Sequence, residues 1–270
     1  MRFVLLARRP LLLSCLFLLV STCAPQPVVV TREPVTLRVV IADSCEPLMM
    51  SAKDAYEASR PWVTMETQVS DTALAEELLR EGGADVALLS WPLSSEEEHD
   101  VSLWTESFTR DGVAVIVHPE SPLAEIGLAQ LREIFRGRLQ EWDGTVLTVV
   151  SREEGSGTRA AFESIALGGE SATLNAVVMP SSEATVEYVT STPGAIGYVS
   201  TEHLNENVRV LAVEGVFPTQ QTITNGSYPL WRQLYLATNG EPRGEAREFA
   251  QWLLGGGGTA VQARASTTDR

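Results

Sequence analysis

Residues 145–158 read Thr145-Val146-Leu147-Thr148-Val149-Val150-Ser151-Arg152-Glu153-Glu154-Gly155-Ser156-Gly157-Thr158. An apolar strand over Thr145–Val150 runs directly into a polar turn with two glycines. The helix that follows carries Ala161, Phe162, Ile165 and Ala166 on its buried side. Strand, tight turn and helix in this order make one unit of an α/β sheet. In open sheets of that kind ligands bind beyond the carboxyl ends of the strands, where helix N-termini present unpaired N–H groups. Gly155 and Gly157 let those groups approach an anion, and Arg152 stands just before them. A helix N-terminus beside a guanidinium is a suitable oxyanion cradle.

The same order extends upstream. Leu37–Ile41 reads as a buried strand, Asp43-Ser44-Cys45 as a turn, and Pro47 falls near the start of a helix running to about Arg60, where its missing N–H costs nothing. Val63–Val69 alternates like a strand, Ser70-Asp71-Thr72 caps a helix through Glu81, and Asp85–Leu89 is another buried strand. This β-α-β-α-β order signals a parallel sheet with helices on its faces. Downstream, Gly112–Val117, Ala195–Val199, Val208–Val213 and Pro229–Thr238 read as strands. Leu128–Phe135 and Glu245–Leu254 read as helices. Three strand-to-helix turns carry small hydroxyl residues: Ser44, the pair Ser70 and Thr72, and Ser156 with Thr158. Taken singly, each is explained as an N-cap; the glycines and Arg152 give the third turn its further reading.

The N-terminal end reads as an export signal. Arg2, Arg8 and Arg9 precede an apolar run over Leu11–Val20 that is short for a bilayer span, and small residues follow it. Val20-Ser21-Thr22-Cys23 resembles a bacterial lipobox, in which Cys23 would carry the lipid; the alternative is an ordinary signal peptide with a chance cysteine. Pro25, Pro27 and Pro34 suit an extended tether. With Cys15 in the signal and Cys23 lipidated, Cys45 remains alone and no disulfide is expected. His99, His118 and His203 are far apart and lack ligand-spaced neighbours, so neither a metal nor another cofactor is expected.

The formal charge is −15 over the 270 residues, and −18 without the three signal arginines, with 17 basic against 35 acidic side chains. Such a surface does not suit nucleic acid, whose backbone needs a basic partner. A small anion would also be repelled at long range, so its site must be locally attractive, which screening over about 10 Å permits.

Arg152-Glu153-Glu154-Gly155-Ser156-Gly157-Thr158 is similar to the signature of the phosphate ABC-transporter substrate-binding family: an arginine, two residues, then G-S-G-T. Three further blocks resemble that family in the same order. They are Phe108–Pro119 with Leu131–Gly137 and Trp142, then Pro193-Gly194-Ala195-Ile196-Gly197-Tyr198-Val199, then Tyr228-Pro229-Leu230-Trp231-Arg232-Gln233-Leu234-Tyr235. The resemblance implies an α/β type II periplasmic-binding fold, two lobes joined by crossing strands near Thr109–Val113 and Tyr228–Leu234. Residues 1–22 would be the signal peptide, 23–35 the tether, 36–109 the first part of lobe 1, 110–227 lobe 2, and 228–270 the return to lobe 1. It implies capture of inorganic phosphate for an ABC-transporter permease, by a monomer held at the cell membrane through Cys23 and without enzymatic activity.

For the site, the resemblance implies Arg152, Ser156, Gly157 and Thr158 from the second lobe, and Ser44 and Cys45 from the first turn. Either Ser70 or Thr72 would supply the hydroxyl of the second turn. Arg152 would be the one full positive charge against the ligand, bonded to it bidentately. Glu154 falls on an acidic position that in the family holds the arginine's fork, unless it is a solvated loop carboxylate. The departure lies at Leu89-Ser90-Trp91-Pro92-Leu93, where Ser90 replaces a common aspartate. A neutral hydroxyl still accepts a hydrogen bond but discriminates less between oxyanions. Trp91 is expected to pack between lobes rather than cover the cleft. Three rivals remain: a site for sulfate, molybdate or tungstate; a hydrolase using Ser156; and a sensor lipoprotein. The hydrolase lacks both a G-x-S-x-G elbow and a partner histidine.

Overall fold

The structure, a computed structural model, describes residues 32–91 and 103–257. The signal segment, Cys23, most of the tether, Pro92, Leu93 and His99 lie outside the described residues.

The first half alternates strand and helix: β1 (Val35–Ala42), α1 (Glu46–Ser59), β2 (Val63–Ser70), α2 (Thr72–Arg80) and β3 (Val86–Leu89). Then come β4 (Leu103–Val117), β5 (Glu125–Ile126), α3 (Leu128–Phe135), β6 (Glu141–Trp142), β7 (Thr145–Val146), β8 (Thr148–Arg152) and α4 (Gly157–Ile165). The chain continues through β9 (Val177–Met179), α5 (Ser182–Ser191), β10 (Ala195–Ser200), β11 (Arg209–Val210) and β12 (Ala212–Val213). It ends with α6 (Gln220–Thr224), β13 (Trp231–Asn239) and α7 (Gly244–Leu254). Single 3-10 turns occupy Asp43–Cys45 and Thr201–His203.

Eight strands follow the order β2-β1-β3-β13-β4-β10-β8-β9, with β11 added alongside β4. The outer groups are parallel: β1 with β2 and β3, and β8 with β9 and β10. Between them β4 and β13 run antiparallel. Strand β4 serves both groups, because Leu103–Gly112 pairs with β13 while Val113–Val117 pairs with β10. The two largest cores each draw on these crossing strands. One gathers Leu37, Val39, Ile41, Leu48, Tyr56, Leu88, Leu234 and Phe249. The other gathers Val113, Val115, Leu131, Phe135, Phe162, Tyr198 and Leu230. Aromatic contacts mark each: Tyr56 meets Phe249 edge-on at 5.0 Å, and Phe162 stacks on Tyr198 at 4.0 Å. The α/β lobed fold implied by the sequence is the fold observed.

Several elements differ from their sequence reading. β4 begins at Leu103 rather than Gly112, because its first part, Leu-Trp-Thr-Glu-Ser-Phe-Thr-Arg, is half-buried or exposed and shows no clean alternation. Val208–Val213 is two short strands, since the chain leaves β4 after Val210 and pairs with β5 from Ala212. Thr145–Val150 is likewise divided: β7 forms a hairpin with β6, and the sheet strand β8 starts at Thr148. Helix α5 has no counterpart in the sequence reading, because Thr185, Val186, Val189 and Thr190 give it a β-branched character.

Candidate functional site

The parallel registers bring the predicted turns together. Ala42 lies opposite Ser70, and Ile41 opposite Leu88, so the carboxyl ends of β1, β2 and β3 share one rim. Ser44, Thr72 and Ser90 leave that rim, and each is about 1% exposed.

Ser44 Oγ is buried and has no hydrogen-bond partner among the described residues. Buried hydroxyls are rarely left so; a close polar neighbour of this one is the Cys45 thiol. Its neighbour Cys45 is fully buried, and burial pushes the thiol up to about 12. Of the two candidates in the second turn, Thr72 shares a 2.9 Å hydrogen bond with Ser90. Ser70, half-buried, donates instead to the carbonyl of Asp71. The cap of α2 is Asp71, which accepts from Leu74 N–H at 2.8 Å.

The third turn meets the second directly. Ser156 caps α4, accepting from Arg159 N–H at 3.3 Å. Gly155 has φ +89°, a left-handed conformation that favours glycine, and its carbonyl accepts from Ala73 N–H at 3.2 Å. Gly157 is a matter of space: a Cβ there would collide with Ser90 Oγ and lie 2.5 Å from Thr72 Oγ1. The N-terminus of α4, with Thr158 buried beside it, therefore faces the two hydroxyls with only hydrogen between them. Trp91, following Ser90, packs against the second core, as its packing reading implied.

Arg152 is 1% exposed and its fork is engaged by the chain itself. Nε and Nη2 donate to the two oxygens of Glu153, each at 2.8 Å. Nη1 donates to Asp43 at 3.0 Å and to Ser182 Oγ at 2.8 Å. Burial works against the guanidinium's charge, but the bond to Glu153 and the charges of Asp43 and Glu153 outweigh it and raise its pKa above the ordinary value. The carboxylate that holds the fork is thus Glu153 and not Glu154. Glu153 follows the last residue of β8, where its side chain turns back along the guanidinium. The fork expected to grip a ligand bidentately is spent on Glu153, which leaves one Nη2 hydrogen for another acceptor.

Asp43, Ser182 and Tyr198 are not among the residues the sequence assigns to the site. Tyr198, its hydroxyl pushed up to about 12 by burial, shares a 2.8 Å bond with Ser151 and accepts from Arg152 N–H at 3.3 Å. The Pro180-Ser181-Ser182-Glu183 stretch carries a helix-start signal that marks the α5 terminus. Nothing in the sequence signals that Asp43 reaches it.

A family model described as a PBP superfamily domain matches residues 29–256. The chain belongs to that superfamily. It is 27% identical over 221 residues to the phosphate-binding protein PstS of Bacillus subtilis, covering 78% of this chain and 73% of that one. Among solved structures it is similar, with a TM-score of 0.80 and 26% identity, to a putative phosphate ABC transporter substrate-binding protein with bound phosphate from Clostridium perfringens. That match covers 86% of this chain and 98% of the other. The fold is also that of an ABC-type phosphate transport receptor from Vibrio cholerae, with a TM-score of 0.71, 24% identity and coverage of 85% and 98%. The resemblance read from the four sequence blocks is borne out.

Proposed function

We propose that this chain captures inorganic phosphate between two α/β lobes and delivers it to the permease of an ABC importer. The observation that carries the reading is the meeting at Gly157, where the N-terminus of α4 faces the buried hydroxyls of Thr72 and Ser90. Backbone N–H groups and hydroxyls packed around a bare glycine suit an oxyanion. Kinship with phosphate-binding proteins supplies its identity.

In this reading residues 36–109 with 228–270 form one lobe and 110–227 the other. Ser44, the Cys45 N–H, Thr72 and Ser90 approach phosphate from the first. Ser156, Gly157, Thr158 and the remaining Arg152 hydrogen approach it from the second. Ser70 takes no part, because its hydroxyl is turned to its own backbone. The protein works as a monomer, exported and tethered through a lipid on Cys23. It binds without turning over, a reading supported by its kinship with binding proteins and by Ser156 serving as the α4 cap. No helix among the described residues is long and apolar enough to cross a membrane.

Calorimetric titration with phosphate, sulfate, molybdate and tungstate at two pH values tests the reading. Phosphate is expected to bind most tightly at a single site. Tighter binding of another oxyanion would reassign the ligand, and heats of dilution alone for all four would overturn the proposal.

A further inference from the structure

Asp43 and Ser182 are 139 residues apart in sequence, yet the Asp43 carboxylate is seated on the N-terminus of α5. It accepts the Ser182 N–H at 3.1 Å, the Ser182 hydroxyl, and Arg152 Nη1 at 3.0 Å. The same turn is gripped through its backbone. His203 Nε2 lies 3.0 Å from the Asp43 carbonyl, and Ser200 Oγ donates to the Ser44 carbonyl at 3.4 Å. The acceptors all belong to residues 43–44 and the donors to residues 152–203. On the two-lobe reading, the first lobe holds out an anion and the second provides a pocket for it.

The chemistry of that pocket is the chemistry of anion recognition. A ten-residue helix ends there with its first N–H directed outward, a guanidinium that is 1% exposed stands beside it, and a hydroxyl completes the set. The partial positive charge of the helix terminus and the full charge of Arg152 act in the same direction. The carboxylate filling it is 13% exposed, so water competes weakly for either partner. Every group in the contact belongs to the chain, so nothing from outside is needed to make it.

We propose that Asp43 is a tethered anion that clasps the lobes by occupying the Arg152–Ser182 pocket, so that the closed form is populated before phosphate is captured. This rests on the phosphate-capture reading only for its consequence. If the clasp holds the empty protein closed, only the unclasped fraction admits ligand, and the apparent association rate falls by that fraction. Closure and capture then share Arg152 but otherwise draw on different residues: Asp43 and Ser182 for the clasp, the α4 terminus and its facing hydroxyls for the ligand.

Small-angle scattering of wild type, Asp43→Ala and Ser182→Ala, each with and without inorganic phosphate, tests this, with stopped-flow association alongside. The wild type is expected to have the same radius of gyration in both conditions. Asp43→Ala should be larger when empty, contract on adding phosphate, and associate several-fold faster. Ser182→Ala should shift in the same direction by less, and it carries the test if circular dichroism shows that Asp43→Ala does not fold. An empty wild type that is already expanded, or empty variants as compact as the wild type, would overturn the clasp. If no protein responds to phosphate, the scattering of the empty forms still decides the clasp, and the ligand reading fails by itself.

Discussion

Asp111 and Arg232 face each other across the antiparallel strands β4 and β13, both almost fully buried and joined through Arg232 Nε and Nη2 at 3.0 and 2.7 Å. These are the strands on which the two largest cores draw. The other Asp111 oxygen accepts from Thr201 N–H and Oγ1, which ties the 3-10 turn after β10 to the crossing. The pair therefore fixes the place where both halves of the fold meet.

Removing one partner leaves the other buried and charged. Asp111→Ala and Arg232→Ala are each expected to cost about 3–5 kcal/mol. Replacing both with apolar residues of similar volume should cost less than the sum. Urea denaturation of the two single variants and the double variant measures this. Additive losses would show that the two charges act independently.

Gly157→Ala places a methyl group against Ser90 and Thr72. Neither hydroxyl sits at the end of a long flexible chain, so the α4 terminus must move away from the rim. Overpacking of this kind costs about 1–3 kcal/mol, and phosphate binding should weaken by about tenfold or more. Titration alongside a thermal melt separates the two effects. Wild-type affinity in the variant would place the ligand away from Gly157.

Arg152→Ala removes the charge that holds Asp43, Glu153 and Ser182 in one cluster. Phosphate affinity should fall by about tenfold or more, from the one charge-assisted bond of about 1.5–3 kcal/mol that the free Nη2 hydrogen can make and the loss of local positive potential. Arg152→Lys should not restore it, because an ammonium cannot reproduce the two parallel bonds to Glu153. Calorimetry on both variants checks this, and full recovery in the lysine variant would show that only the charge matters.

Much of this arrangement is legible in the sequence, for identifiable reasons. Buried parallel strands such as Leu37–Ile41 and Asp85–Leu89 are short, mostly apolar runs, and the G-S-G-T turn carries its glycines openly. The contact between that turn and Ser90 is not legible, because it depends on how closely two halves distant in sequence approach. The same holds for Asp43, which reads as an ordinary turn residue until α5 is placed opposite it. Glu153 and Glu154 cannot be distinguished from sequence, since the choice depends on the direction in which the chain leaves β8.

Alkaline pH should destabilise the fold through Cys45. Burial, opposed in part by the nearby Arg232 charge, pushes the thiol up to about 12, whereas an unfolded cysteine titrates near about 8.5. Between these values the native state keeps a proton that the unfolded state has lost, so stability falls as pH rises. The loss should reach about 2 kcal/mol by about pH 10, at about 1.4 kcal/mol per unit. Tyr198, also pushed up to about 12 by burial, adds to the fall above the ordinary tyrosine range. Urea midpoints at about pH 8 and about pH 10 for wild type and Cys45→Ala measure the effect. Equal slopes for the two proteins would remove Cys45 from the account.

Phosphate capture itself is tested most directly by equilibrium dialysis of the purified protein against radiolabelled phosphate. The expected result is one phosphate bound per chain, displaced by unlabelled phosphate and lost in Arg152→Ala. Failure of the folded wild-type protein to retain label above the free concentration, or retention unchanged in Arg152→Ala, would contradict it.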